Sequence, residues 1–570
     1  MSGFDRQLWN RFWAIAKPYW FSEEKRGARG LLAVLLFLSL AVSGLNVIIS
    51  YVGRDFMTAL SKKDAPEYFR LLWIYGSVFV VGTPIVVFYR YIRELLGLYW
   101  RQWLTNSFLD RYFQNRAYYE INLRDKIDNP DQRVAEDIRS FTTDSLFFLL
   151  IILGSIINLF AFTGILWSIS PLLAGILVAY AIVGTTVTVL FGKRLIGLNF
   201  QQLKKEADFR YGLVHIRDNA ESIAFYRGEN QESGEVKRRF FDAIRNYNLL
   251  VEWQRNLGFF TQGYDYIIII LPALVIAPRY FAGEVEFGVI SQASFAFSMV
   301  LNAISIVVDQ IYKLSAFAAG VNRLATFSES LEDPTESQKP GATKIDTVED
   351  GRLALEHVTL LTPRYDHTLV KDLMAAVKPG EGLAIVGQSG TGKSSLLRAI
   401  AGLWNNGTGR IVRPHLDEML FLPQRPYMLL GSLRSQLLYP NTSQEVSDEK
   451  LYDVLKQVNL ANLPERVGGF DVVLDWADIL SLGEQQRLAF ARLLLTRPRY
   501  AILDEATSAL DIKNEERLYQ QLQETGTTFV SVGHRSSLLK YHHQVLELEG
   551  EAKWRLCAVK DYNPGVTALA

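Results

Sequence analysis

Residues 387–394 read Gly387-Gln388-Ser389-Gly390-Thr391-Gly392-Lys393-Ser394, with Ser395 next, and fit the pattern G-x-x-x-x-G-K-[ST]. The glycines let the backbone turn tightly and point N–H groups at phosphate oxygens. The Lys393 ammonium can reach β- and γ-phosphates, and the Ser394 hydroxyl can ligate Mg²⁺. The surrounding sequence suits this loop. GLAIV (382–386) predicts a buried strand, and SSLLRAIAGLW (394–404) predicts a helix whose N-terminus faces the anion. Further on, YAILDE ends a second apolar strand in two carboxylates, Asp504 and Glu505. Asp504 can hold Mg²⁺ through water, and Glu505 is placed to orient and deprotonate an attacking water. The chemistry is attack of water on a terminal phosphate.

A site of this kind needs a strand–loop–helix frame, and 570 residues leave room for a second domain. Lys plus Arg and Asp plus Glu both number 60, so composition gives no basic footprint for nucleic acid, and none is expected as a partner. The single cysteine, Cys557, excludes an intrachain disulfide framework. Apolar residues are concentrated in six segments near 31–52, 71–93, 145–168, 171–192, 257–278 and 287–314. Each reaches the ~20 residues that cross a bilayer core as a helix. Residues 1–30 alternate aromatic and basic side chains, with Arg6, Arg11, Lys17, Lys25, Arg26 and Arg29, as an interfacial helix on the cytoplasmic face would. The gaps 93–145 and 192–257 hold charged, helix-forming sequence, so the spans are expected to continue out of the membrane as long pairs. Positive charge places these loops in the cytoplasm, although Arg54, Lys62, Lys63 and Arg70 in the first external loop run against the rule.

Within the first long loop, NPDQRVAEDI (129–138) predicts a turn and a short helix start. Asn129 or Asp131 can cap it, and Pro130 suits a first turn. Asp265 and Asp309, with Asn158, Gln292 and Asn302 behind them, are the polar residues inside spans. Either they line a water-filled cavity, or they are satisfied bundle contacts and membrane-edge positions. Residues 328–351 are rich in Ser, Pro, Gly, Thr and acids and mark a linker. The expected organisation is therefore an interfacial region over 1–30, a transmembrane domain over 31–327, that linker, and a nucleotide-binding domain over 352–570.

The remaining motifs carry a family resemblance. Leu480-Ser481-Leu482-Gly483-Glu484 resembles the signature loop, usually LSGGQ, of ATP-binding cassette (ABC) proteins. Gln424 in FLPQRPYM resembles the Q-loop, which senses Mg²⁺ and communicates with the membrane domain. Asp511 in SALD resembles the D-loop, and His534 in SVGHR resembles the switch histidine that contacts γ-phosphate. These elements stand in the family's order over 352–541. Leu482 replaces the usual glycine and Glu484 the usual glutamine, while Ser481 and Gly483 keep the groups that would touch phosphate. The usual adenine-stacking position is Thr362, and Tyr365 is the nearest aromatic candidate.

The six spans with long extensions resemble half of an exporter-type ABC transporter. NPDQR, EADFRY (206–211) and RDNAESIAFYRGE (217–229) resemble the ABC subfamily of peroxisomal fatty-acyl-CoA transporters, lysosomal cobalamin transporters and bacterial peptide-antibiotic and cobalamin uptake relatives. LSLGEQQRLAFARLLL is similar to the bacterial branch.

This resemblance implies a membrane α-helical domain of six spans plus an α/β P-loop cassette, using ATP and Mg²⁺. It implies a half-transporter in a bacterial inner membrane, or alternatively an organelle membrane. It also implies that each ATP sits between the phosphate loop of one cassette and the signature loop of another. That makes a homodimer the simplest assembly and leaves a heterodimer open. Asn129, Pro130, Asp131, Gln132 and Arg133 would form a coupling element docking near Gln424. The substrates implied are fatty acid or acyl-CoA, cobalamin or peptide. The competing class is an ATP-gated channel or regulator that uses the cassette as a switch.

Overall fold

The computed structural model describes residues 6–124, 127, 129–332, 343–362, 367–533 and 535–562. The chain divides into two units, Met1–Glu336 and Ser337–Ala570.

The first unit is helical. Its main helices are α1 (Arg6–Phe21), α2 (Lys25–Ser61), α3 (Ala65–Phe113), α4 (Ile138–Ile169), α5 (Pro171–Asp218), α6 (Ala220–Tyr226), α7 (Glu229–Phe281), α8 (Phe287–Asp309) and α9 (Ile311–Glu332), with a further short helix over Ala117–Arg124. Among the described residues, five stretches are long and apolar enough to cross a membrane: Lys25–Ser61, Ala65–Leu123, Pro130–Ile169, Glu229–Phe281 and Phe287–Ile306. The sixth expected span is the start of α5, apolar over Pro171–Gly184. At ~1.5 Å per residue, the 49 residues of α3 measure about 74 Å and the 53 of α7 about 80 Å. Both exceed a ~30 Å hydrocarbon core by more than half their length. Helix starts are set locally: Asp64 accepts from the Glu67 amide at 3.2 Å, and Ser170 accepts from the Leu173 amide at 3.3 Å, with Pro171 in the first turn.

Packing pairs α2 with α3, α5 with α7, and α8 with both α4 and α2. The α8–α2 crossing depends on Gly288, whose amide donates to Thr58 Oγ1 at 3.2 Å. A Cβ there would overlap the Arg54 carbonyl. Gly288→Ala should therefore cost about 1–3 kcal/mol, read as a lower thermal unfolding midpoint in detergent. Gly234→Ala, in α7 with nothing near its Cβ, should leave the midpoint unchanged or raise it.

Several local expectations are corrected here. Residues 25–30 belong to α2, and the separate N-terminal helix of the region expected as interfacial is α1, Arg6–Phe21. The span expected over 287–314 breaks at Gln310. The Gln310 amide donates to the Ile306 carbonyl and its carbonyl accepts from the Leu314 amide, but Gln310 itself is a turn residue that separates α8 from α9, a break that no Pro or Gly marks. Asn129 stands at the N-cap position, but with φ +44° and no capping hydrogen bond, because an N-cap side chain reaches the first turn only from the β region. Pro130–Gln132 is not a free-standing helix. It runs through a π-turn, Arg133–Asp137, straight into α4. Buried Arg133 donates to the Arg323 carbonyl at 2.7 Å, and Asp137 pairs with Arg323 at 2.5 Å, tying this turn to α9.

The second unit holds β1 (Asp346–Glu349), β2 (Leu353–Leu361), β3 (Thr368–Val377), β4 (Gly382–Gly387), α10 (Lys393–Ile400), β5 (Gly407–Arg413), β6 (Met419–Leu422), β7 (Gly431–Ser432) and β8 (Val473–Leu474). These are followed by α11 (Leu482–Thr496), β9 (Tyr500–Asp504), α12 (Ile512–Glu524), β10 (Thr528–Val532), β11 (Gln544–Gly550) and β12 (Lys553–Ala558). One sheet has the order β1-β5-β2-β3 and the other β12-β11-β4-β10-β9-β6; β7 and β8 pair separately. In the larger sheet β4, β10, β9 and β6 run parallel, so the loop after β4 and the carboxylates after β9 emerge at the same sheet edge. Of the stretch expected as linker, 328–332 ends α9 and Asp346–Glu349 is strand β1, paired with β5. The helix expected over 394–404 ends at Ile400: Gly402 takes φ +70°, and the Leu403 amide closes onto the Arg398 carbonyl at 2.9 Å.

One core residue makes this unit sensitive to acid. His542 is buried between Phe529 and Tyr519, with Ser531 on its Nε2 and the Leu538 carbonyl 2.8 Å from Nδ1. Burial pushes its pKa from 6.5 down to about 4. The unfolded chain therefore takes up a proton before the folded one does. The resulting stability is complete above about pH 6.5 and falls by up to about 3 kcal/mol as pH drops to about 4. His542→Gln should flatten that part of the acid unfolding curve relative to wild type.

Candidate functional site

The phosphate loop leaves the apolar, fully inserted strand β4. Gly387 has φ +145°, and a Cβ on it would overlap the Leu548 carbonyl, so only glycine fits where β4 passes β11. Gly392 caps α10 at φ +96°. Lys393 is buried and its Nζ donates back to the carbonyls of Gly387 and Gln388 at 2.8 and 2.7 Å, the cradle a phosphate would share. Burial pushes the Lys393 ammonium down, opposed by the charges of Glu505 and Asp504.

The two sequence-distant halves of the site meet at its floor. Ser394 Oγ donates to Asp504 Oδ1 at 3.0 Å, and Gln424 Nε2 donates to Glu505 Oε2 at 2.7 Å. Burial raises the Asp504 carboxyl above its ordinary value; the Ser394 hydrogen bond opposes this and the Glu505 charge adds to it. Glu505 takes φ +49°, a left-handed conformation that strains non-glycine residues, and its amide is held by the Val532 carbonyl at 3.1 Å. Ser394, Asp504 and Gln424 present the hard oxygen donors Mg²⁺ takes, so the residues fit that ion.

The segment expected as the signature loop is a helix start. Ser481 caps α11, and Glu484 Oε2 accepts from the Ser481 amide at 3.0 Å, a reciprocal capping box. Glu484 also pairs with Arg466 at 2.6 Å. Burial alone would raise the Glu484 carboxyl, but Arg466 and Ser481 hold it below the usual range. The departure from glutamine thus has a structural use. Leu482 is 42 % exposed, and Gly483 lies close to the Ala509 carbonyl. Asp511 caps α12 through the Asn514 amide at 2.8 Å, which holds its carboxyl low.

Two residues escaped the sequence reading. Gln486, fully buried, donates to the Gln424 carbonyl at 2.9 Å and to Ser508 Oγ at 3.2 Å, and accepts from the Ala509 amide at 3.0 Å. It ties the Q-loop to the segment between Glu505 and Asp511. Arg535 donates to the carbonyls of Leu510 and Ser508 at 2.8 and 3.2 Å. The only sequence signals were Gln486's place beside the signature loop and Arg535's place after His534. His534 and Tyr365 lie outside the described residues, as do the side chains of Asp265 on α7 and Asp309 at the end of α8.

A unit of membrane-length helices followed by a phosphate-loop domain with a carboxylate-ended strand defines an ATPase coupled to transmembrane transport. The family model described as ABC transporter transmembrane region 2 matches residues 15–281, and that described as ABC transporter matches 370–508. The chain belongs to the ABC transporter family, as a half-size member with one membrane region and one cassette. An uncharacterised ABC transporter ATP-binding protein of Synechocystis is 53 % identical over 540 residues, 93 % of this chain and 82 % of that protein. The chloroplastic ABC transporter D family member 2 of Arabidopsis thaliana is 42 % identical, covering 97 % of this chain and 88 % of its own. The human lysosomal cobalamin transporter ABCD4 is 34 % identical, covering 98 % and 97 %. A bacterial Atm1-family ABC exporter with ATP bound shares the fold, with TM-score 0.73 at 17 % identity over 94 % of this chain and 96 % of that one.

Proposed function

We propose that this chain is the half of a homodimeric transporter that uses Mg²⁺-ATP to move a large amphipathic or hydrophilic solute across a bacterial inner membrane. The solute classes are fatty acid or acyl-CoA, cobalamin and peptide. The observation that carries the reading is the pairing of Ser394 with Asp504 and of Gln424 with Glu505 at one sheet edge. When bound, Mg²⁺ neutralises phosphate charge. Lys393 and the loop amides hold the phosphates, Glu505 orients and deprotonates water, and Gln424 links that carboxylate to its own loop. Similarity to the human lysosomal cobalamin transporter ABCD4 supports cobalamin among these classes.

The test is ATP hydrolysis by the protein in liposomes, with and without acyl-CoA, cobalamin and a cationic peptide. Stimulation by one of them, with ATP-dependent accumulation across the bilayer, is the expected result. Hydrolysis indifferent to all three would reject these solute classes or point to a missing partner half.

A further inference from the structure

The helical unit carries a groove of about 860 Å³, within the roughly 300–1,000 Å³ of small-ligand sites. Trp9 and Trp13 of α1, Trp100 of α3, Leu149 and Ile152 of α4 and Phe317 of α9 line it. Its charged lining residue is Arg29, at the start of α2.

Three observations point to the occupant. First, the groove is continuous with the spans: Ile152 and Leu149 lie in the apolar run of α4, and Leu32 in that of α2. Secondly, its outer wall is exposed aromatic surface, with Trp9 57 % and Trp13 48 % exposed on a helix whose other face is buried and tied to α9 by Arg11 and Asn322 at 3.0 Å. Amphipathic aromatic rings of this kind sit at headgroup depth. Thirdly, the mouth is cationic. Lys17, Lys25, Arg26 and Arg29 stand against Glu23 and Glu24, and none of the four bases is in an ion pair among the described residues. Arg29 is held in place: its Nε donates to the Trp20 carbonyl at 3.1 Å, and its guanidinium lies 4.9 Å from the Phe21 ring centre. Its terminal N–H groups have no protein acceptor among the described residues, which leaves a fork suited to phosphate.

We propose that this groove binds one anionic phospholipid. A chain lies along Trp9, Trp13, Leu149 and Ile152, and the phosphate sits at Arg29 with Lys25 and Arg26 beside it. A zwitterionic lipid fills the same apolar space but brings no net charge for the three bases. The site therefore selects headgroup, each base contributing about fivefold. It rests on the membrane placement of the helical unit and not on the solute carried.

The groove's tryptophans, Trp9, Trp13, Trp20 and Trp100, report on it in a background in which the exposed Trp73 and Trp167 of the spans are replaced by Phe. The full chain in phosphatidylcholine nanodiscs, doped with a small fraction of lipid bearing brominated chains, should be quenched by brominated phosphatidylglycerol at an at least fivefold lower fraction than by brominated phosphatidylcholine. Replacing Lys25, Arg26 and Arg29 together by Gln should abolish that preference, and Arg29→Lys should keep part of it. Ile152→Phe, which narrows the groove, should reduce quenching by both lipids. Equal quenching of the wild type by the two headgroups, quenching by neither, or a preference that survives the triple change would each overturn the site. None of these readouts uses ATP, so a chain that hydrolyses ATP and transports yet shows no headgroup preference loses this site alone.

Discussion

Glu505→Gln should bind ATP as the wild type does and hydrolyse it about 10²–10⁴-fold more slowly, the usual contribution of a positioned general base. The substitution is nearly silent in shape. The amide oxygen it introduces could still accept the hydrogen bond that Gln424 Nε2 gives Glu505 at 2.7 Å, so the Q-loop contact survives. The strained backbone at φ +49° and the amide bond to Val532 do not depend on the side chain's charge. What disappears is the anionic oxygen that can take a proton from water. Lys393→Ala should fail earlier: it removes the ammonium that shares the Gly387 and Gln388 carbonyl cradle, so binding itself weakens. Measuring nucleotide binding and turnover on both variants separates the roles. Unchanged turnover in Glu505→Gln would place the base elsewhere.

The parts of this site that the sequence discloses are local. A glycine-rich loop between an apolar strand and a helix is written in neighbouring residues, and so are two carboxylates ending YAILDE. What it hides is contact between distant residues. Gln486 meets Gln424 62 positions away, and no period or spacing announces that a third polar residue after the signature glycine turns inward. Helix ends mislead for a related reason. LLRAIAGLW keeps its apolar rhythm past Ile400, but Gly402 supplies the left-handed turn that stops the helix. NPDQ reads as a capped start, yet the chain enters from the left-handed region and continues into α4. The six apolar runs were legible because burial in lipid demands about twenty apolar residues in a row. The break at Gln310 was not, since neither Pro nor Gly marks it.

The dimer can be tested by restoring function from two inactive chains. Lys393→Ala disables the phosphate loop. Gly483→Asp disables the signature loop by placing a carboxylate where phosphate would approach. It is compatible with folding, because an acid is favoured in the first turn of α11 and its Cβ would press only on the Ala509 carbonyl. Each homodimer alone should be inactive. If every ATP lies between the phosphate loop of one chain and the signature loop of the other, a mixed dimer carries one site with both defects and one with neither. Random mixing makes half the dimers mixed, so about a quarter of the sites are intact, and about a quarter of wild-type hydrolysis should return if the sites turn over independently. Were each site built within one chain, both sites of a mixed dimer would carry a defect and mixing would restore nothing. Activity regained after co-reconstitution, and lost again when the Gly483→Asp chain also carries Glu505→Gln, would locate the working site at the junction of two copies. Glu505→Gln placed instead on the Lys393→Ala chain should leave the regained activity untouched, because that carboxylate belongs to the site already broken.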